Sequence, residues 1–577
     1  MKPAARIVGL LAALALLAGC QQPQSEPAAT TPASTAALTP AAKREQRLTT
    51  GTISDPKTFN PIMVTDSASG VALGDIFEGL VRLNPKTTEV EPLLAERWEY
   101  NGDGTVCTFH LRRDVRWHDG RPFTARDVVF TFKTIFDERV PNSTKHVLTI
   151  DGKPLKVEQV DDHTVRFVLP QPFAPLLNSI GSEIIPEHIL GEALAKSTFA
   201  QQWGIDTPPE KLVGTGPYRM TQYVAAQYIR FRRNPDYWKR DEQGQVLPYL
   251  EEQTLLIVPN QDTLYLKFLA GQTDIHYPRP EEIGDLQAKS QQLAFAVNEI
   301  GIDTGTLFVT FNRNPRHYEA GGKRNPRLHW FTDQHFLQAI AHAIDKKSMI
   351  LNCFNGYGVP AVADISPENK LFHNPNLKDR EYSLDQARRL LAEGGYTDRN
   401  GDGVIEDREG TPLEFSLYTN SGNQVREKMC SILKEDWTKL GMKVNYRPLE
   451  FTALVETLEH TLDWDAILIG FTGGVEPHNG ANLLRSSGNL HLWNPNQPKP
   501  GTEWERTIDE LVERGARELD VEKRRQLYWQ IEEILHRELP MIQTVRERRF
   551  NAVRNYVQNY DQHVWGLYRP ERISIAQ

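Results

Sequence analysis

The chain has 577 residues, 39% of them apolar and 24% charged, with a formal net charge of -9. That length supports two or more domains with sizeable cores, and the composition is that of a folded globular protein. The negative balance leaves no basic face for nucleic acid, and past the first twenty residues no apolar run approaches the length that spans a bilayer.

The chain opens on an export address. Lys2 and Arg6 form a short basic region, Val8 to Leu17 is apolar apart from Gly9, and Leu17-Ala18-Gly19-Cys20 closes it. The apolar segment is too short for an anchor helix, and small residues just before a cysteine match a lipobox, so Cys20 is the expected lipidation site after cleavage. Gln21 follows, where Asp would mark inner-membrane retention in enteric-type bacteria. Residues 21-47 are rich in Ala, Pro, Thr, Ser and Gln, bury nothing and read as a flexible tether.

The folded body starts near Leu48 with a strand to Ile53, then Phe59-Asn60-Pro61, then a helix within Ser69 to Leu83. Trp98, the turn Asn101-Gly102-Asp103-Gly104 and the period-two run Val106 to Leu111 predict a half-buried hairpin. Thr124, with Asp127 three residues on and Val128-Val129-Phe130 after it, reads as a helix N-cap. Two strands are expected about Asp161-Asp162-His163, and Gly214-Thr215-Gly216-Pro217-Tyr218 reads as a turn into a strand. No Lys-Ser/Thr follows those glycines and Pro217 blocks a helix start, which excludes a phosphate loop.

Further on, Leu255 to Val258, Asp262 to Ala270 and Thr273 to Ile275 predict strand, helix, strand, and Thr306 to Asn312 is a strong strand. Helices are expected from Asp333 to Ile344, from Tyr382 to Gly395 with Ser383 as N-cap, and from Arg524 to Leu539 before Pro540. Between them, Leu413 to Tyr418, Val425 to Leu440, Val444 to Leu449 and Trp464 to Phe471 read as strand, helix, strand, strand. Asp398, Asn400, Asp402, Gly403, Val404, Glu406 and Glu409 fall at positions 1, 3, 5, 6, 7, 9 and 12 of an EF-hand-like loop. A structural Ca2+ there would use Asp398, Asn400, Asp402, the Val404 carbonyl and Glu409. The same letters also make an acid-rich turn that needs no metal.

With Cys20 assigned to lipid, Cys107, Cys353 and Cys430 remain, which allows one disulfide at most, Cys353 with Cys430, or none. The chain carries no H-E-x-x-H, G-x-S-x-G or Walker pattern, and His110 and His118 have no ligand-spaced partners, so no enzyme class is indicated.

The succession Trp98, Asp103-Gly104, Phe109-x-Leu111, Trp117-x-Asp119-Gly120, Pro122-x-Thr124-Ala125-x-Asp127-Val128 resembles the signature of the family 5 extracellular solute-binding proteins. Phe77-Glu78-Gly79-Leu80, Gly214 to Tyr218, Arg233 to Trp238 and Ala343-Ile344-Asp345 extend that resemblance over most of the chain. It implies an α/β, two-lobed periplasmic binding protein-like fold of the class II, cluster C type. Residues 1-20 are then the lipoprotein signal, 21-47 the linker and 48-305 the first lobe, with an inserted subdomain at about 84-200. The second lobe is 306-540, and 541-577 returns to the first.

The function implied is that of a monomeric importer receptor, exported and lipid-anchored to a membrane facing the periplasm or cell surface. It would pass peptides to ABC permease and ATPase subunits on separate chains. A nickel chelate or similar small solute, or a sensing or chaperone-like role, is the alternative on the same fold. Peptide receptors of this family hold the ligand's α-amine with an Asp near a G-W/F pair. Here Gly474 or Val475 stands in that place, which leaves Glu476 from a shifted position or no amine contact at all. The cleft wall expected from the resemblance is Tyr357, Phe471, Glu476, His478, Asn479 and Trp493, with Asn312 as a backbone partner.

Overall fold

The computed structural model describes residues 45–318 and 327–576; the lipobox cysteine Cys20 and most of the tether lie outside the described residues. No helix among the described residues is long and apolar enough to cross a membrane.

Strand Arg47–Thr52 runs parallel to Glu252–Ile257, which continues antiparallel into Tyr228–Arg233 and then Tyr218–Val224. Alternation sends Leu255, Ile257, Ile229, Phe231, Tyr218 and Met220 into one apolar core. The helix expected between Ser69 and Leu83 stops at Leu73. Beyond it the carbonyls of Asp75 and Ile76 accept the amides of Tyr218 and Gly216 at 3.1 and 2.9 Å, bonds that a continuing helix would keep for itself. A Cβ at Gly214 would lie 1.8 Å from the Ile76 carbonyl oxygen, so this glycine serves close backbone packing. His118 is a core histidine: its ring meets the Gly214 amide at 3.2 Å and the Gly216 carbonyl at 3.0 Å, and burial pulls its pKa down to about 4.

The signature segment builds a second, antiparallel sheet in the order Ala95–Tyr100, Val106–Leu111, Thr164–Val168, Lys156–Asp161, with helix Ala125–Phe136 following the Thr124 cap. Asp127 explains much of its motif. The carboxylate accepts the Thr124 amide at 2.9 Å, the Trp117 indole at 3.3 Å and, across the fold, the Glu187 amide at 3.1 Å.

A five-stranded sheet in the order Lys443–Leu449, Glu414–Asn420, Ala466–Phe471, Thr306–Phe311, Ile542–Gln543 holds the later half of the chain. One face packs on Phe336, Leu391, Met429 and Trp437, the other on Leu454, Trp493, Ile531 and Leu535. Between the two halves a third sheet joins Ile275–His276, Val545–Arg554 and Phe295–Ile302, with Gly358–Pro360 added on Val545–Glu547. The chain therefore crosses twice at one place, from Ile302 to Thr306 and from Gln543 to Val545. Cys353 and Cys430 are free, buried thiols on neighbouring helices Lys346–Phe354 and Gln424–Lys439, so the disulfide is not formed. Both sit in apolar packing, and burial pushes the Cys353 thiol up to about 11.

Helix Glu503–Arg517 was not expected from the sequence, and its start is the most heavily bonded point of the second half. The Glu505 carboxylate accepts from the Trp493 indole at 3.2 Å, the Gln497 amide at 2.9 Å and the Thr502 amide and hydroxyl at 2.9 Å, and it meets His491 Nε2 at 3.1 Å. Burial opposes its charge, but the bonds from His491, Gln497 and Thr502 outweigh that and hold its pKa down to about 2. The stabilisation is thus full above the ordinary glutamate range and is lost as pH falls through about 2. Glu505→Ala leaves buried donors unpaired and is expected to cost about 3 kcal/mol or more in urea unfolding at neutral pH. A loss under about 1 kcal/mol, or one that grows on acidification, would contradict this account.

Candidate functional site

The two crossings are locked together by Arg546, which is only 3% exposed. Its guanidinium donates to the carbonyls of Thr304 at 3.2 Å, Ala363 at 2.9 Å and Asp364 at 2.5 Å, and also to that of Gly305. Four carbonyls from two segments thus take a buried charge that has no carboxylate in direct contact. Loop Phe471–Gly474 packs on the same crossing, and its closest approach, at Gly473, leaves no room for a side chain. A Cβ at Gly473 would lie 1.9 Å from the Thr304 carbonyl oxygen.

Beside this junction lies a cavity of about 400 Å3. Thr304 and Thr306 of the crossing, Asp364 to Ser366, the loop from Phe471 to Leu484, and Tyr528, Ile531, Glu532 and Leu535 of helix Val521–Glu538 form its wall. Of the seven residues expected at the site, Phe471, Glu476 and Asn479 meet here.

The other four are placed elsewhere, each for a visible reason. Asn312 is 1% exposed and its amide is spent on the carbonyls of Leu462 and Trp464, both at 2.9 Å, so it clamps a strand end. Trp493 is 1% exposed and belongs to the Glu505 hub. Tyr357 packs on Phe550 at 5.3 Å between ring centres and donates to Gln287 at 3.3 Å. The His478 ring sits edge-on to Phe173 at 5.5 Å, and burial, helped by Arg485 and Arg524, pulls its pKa down to about 3.

Glu476 lines the cavity but is not free to anchor an amine. It forms a bidentate pair with Arg524, with Nη1 to Oε2 at 2.8 Å and Nη2 on Oε1, and it accepts the His478 amide at 2.8 Å. The two side chains are 1% and 6% exposed. The shifted-anchor role expected of Glu476 is therefore replaced by a structural one, because its charge is already matched. Gly474 stands exposed on the cavity wall, and Val475 is buried with its carbonyl held by Asn369 at 2.9 Å.

Three ionisable wall residues escaped the sequence reading: Asp364, Tyr528 and Glu532. A signal existed, since Arg524, Tyr528 and Glu532 recur every four residues along an otherwise apolar helix face. Burial beside Asp364 pushes Glu532 up to about 8, although its oxygens accept the Ile365 and Asn374 amides at 3.0 and 2.9 Å.

The acidic loop is a separate feature. Asp398, Asp402 and Glu406 bring carboxylate oxygens within 4.8 Å of one another. Asn400 donates to Glu406 at 2.7 Å, and the Val404 amide donates to Asp402 at 2.8 Å. Glu409, the expected twelfth-position ligand, stands outside the group. A backbone pair between Thr397 and Glu406, 3.0 Å each way, closes the loop before Glu409 is reached. The acid at the ninth position therefore meets the first.

Glu476→Gln strands the Arg524 charge in a buried place. The expected loss is about 3–5 kcal/mol of stability. Any ligand affinity that survives in the folded variant should be unchanged. A variant with wild-type stability and lost binding would restore Glu476 as a ligand anchor.

The description "Bacterial extracellular solute-binding proteins, family 5 Middle" matches residues 89–491 of the chain. A probable ABC transporter-binding protein of Deinococcus radiodurans is 27% identical over 514 residues, covering 85% of each chain. The dipeptide-binding protein of Escherichia coli is 26% identical over 554 residues, 90% of this chain and 93% of its own. The oligopeptide-binding protein AppA of Bacillus subtilis, solved with a nonapeptide, superposes with a TM-score of 0.68 at 24% identity over 93% of this chain and 100% of its own. The fold is thus the two-lobed α/β architecture of periplasmic binding proteins. With its signature segment, its double crossing and a family match over most of its length, this chain belongs to the family 5 bacterial extracellular solute-binding proteins.

Proposed function

We propose that the chain is the substrate-binding receptor of an ABC importer and that it captures peptides in the cavity at the crossing. One observation carries the peptide reading. The backbone of Thr472, Gly473 and Gly474 continues strand Ala466–Phe471 along the cavity wall, and no hydrogen bond within the described residues engages it. An extended peptide can add to such a run as a further strand, with affinity from main-chain bonds and side chains in pockets. The dipeptide-binding and oligopeptide-binding relatives support the same class of ligand.

On this reading the lobes are 48-305 and 306-540, with the subdomain at about 84-200 and residues 541-577 returning to the first lobe. The separate sheets and cores support that division, although Ile542–Gln543 still pairs within the second. A ligand touching the crossing favours one arrangement of the lobes, and that arrangement docks on permease and ATPase subunits supplied as separate chains. The basic, apolar and L-A-G-C succession supports a monomer tethered through lipidated Cys20 on the outer side of a membrane.

Two measurements test these points. Protein purified without denaturation should release peptide in a native mass spectrum; a consistent non-peptide occupant would move the substrate class. Cys20→Ser should shift the protein from the membrane fraction to the soluble one. Retention of that variant on the membrane after signal cleavage would end the lipoprotein reading.

A further inference from the structure

The charge of the cavity wall is one-sided. Its ionisable groups are Asp364, Glu476, Tyr528 and Glu532, and none of its lining residues is Lys, Arg or His. Glu476 is neutralised from behind by Arg524. Asp364 is different: no hydrogen bond or ion pair within the described residues reaches its carboxylate, and burial raises it above the usual carboxylate range. The nearest cation in charge terms, Arg546, has both terminal nitrogens committed to backbone carbonyls, one of them Asp364's own. Glu532 stands on the same wall, held by two backbone amides, and each acid makes the other's charge harder to keep. The same two acids also border a neighbouring cavity with Lys346, Arg380 and His536, but on this side no cation faces them, and a ligand ammonium would relieve the cost of burying their charge. The same lining also includes the apolar side chains of Phe471, Leu483, Leu484 and Leu490.

We infer that Asp364, seconded by Glu532, is the specificity-determining anchor for a ligand ammonium group, seated where the cavity turns from acidic to apolar. This rests on the reading of the chain as a peptide receptor. It places the anchor more than a hundred residues before Gly474 and Val475, on the segment that Arg546 ties to the crossing. The ammonium can be a peptide's α-amine or a lysine side chain, two sources of the same chemistry.

Three equimolar tripeptide pools separate the outcomes: one free of Lys and Arg with free amines, the same pool N-acetylated, and an N-acetylated pool with a central Lys. Each is incubated with ligand-stripped full-length protein, and retained peptide is counted by mass spectrometry. Retention of the first or third pool about tenfold or more above the second is expected, and the winning pool names the source. In Asp364→Asn that preference should fall to about twofold or less. Because Asp364→Asn also removes a charge that favours the buried Arg546, folding of each variant is verified by its melting transition before retention is counted. Equal retention of the acetylated, cation-free pool overturns the anchor while leaving the peptide reading standing. So does a preference that survives in both Asp364→Asn and Glu532→Gln. Retention of no pool at all removes the peptide reading, and this inference with it.

Discussion

Arg546 is the constraint on which the rest of the molecule depends. The first crossing and the segment before Ser366 meet at the side chain of Arg546, which directly follows the second crossing. A guanidinium with donors in a rigid planar fork can bind several carbonyls at once, and here it binds four. Its charge is taken up by peptide dipoles, and among the described residues Asp364, Asp303 and Glu532 act on it through space without a direct ion pair. That leaves Asp364 beside it without a partner, and it fixes where that acid stands. The junction and the binding wall are therefore one piece of structure.

Glycine supplies the second condition. Gly473 lies against Thr304 closer than any residue with a Cβ could. The loop that follows strand Ala466–Phe471 is thereby pressed to the crossing with its backbone open to the cavity. A ligand bound to that backbone also touches the connection between the lobes, which is the physical basis for coupling occupancy to lobe arrangement.

The buried charges in the second half divide into two kinds. Glu476 with Arg524, and Glu505 with its ring of donors, are fully satisfied and hold segments distant in sequence at set positions. Removing one member of such a set costs more than the set contributed over an apolar replacement. Asp364 and Glu532 are of the other kind, since no ion pair within the described residues reaches either carboxylate and no Lys, Arg or His lines the larger cavity beside them. The contrast between the matched Glu476 and the unpaired Asp364 on one wall is what distinguishes scaffold from site here.

Much of the architecture was legible in short windows of sequence. The period-two run of Val106 to Leu111 is a strand over those same residues, the caps at Thr124 and Ser383 start helices where expected, and Pro540 ends the long helix. These signals act within about four residues, through pleat, capping bonds and a missing amide, so the local chain determines them. The site is another matter. Phe471, Glu476 and Asn479 line one cavity because they sit in one loop, while Trp493 and Asn312, which look the same in sequence, are spent on bonds within the fold. Glu476 was misassigned because Arg524, its partner, lies 48 residues away. Asp364 and Glu532 were missed because they meet through a contact spanning 167 residues, the Ile365 amide on the Glu532 carboxylate. Which carboxylate is matched and which is left facing the cavity depends on the register of the crossing strands, and only the folded chain sets that register.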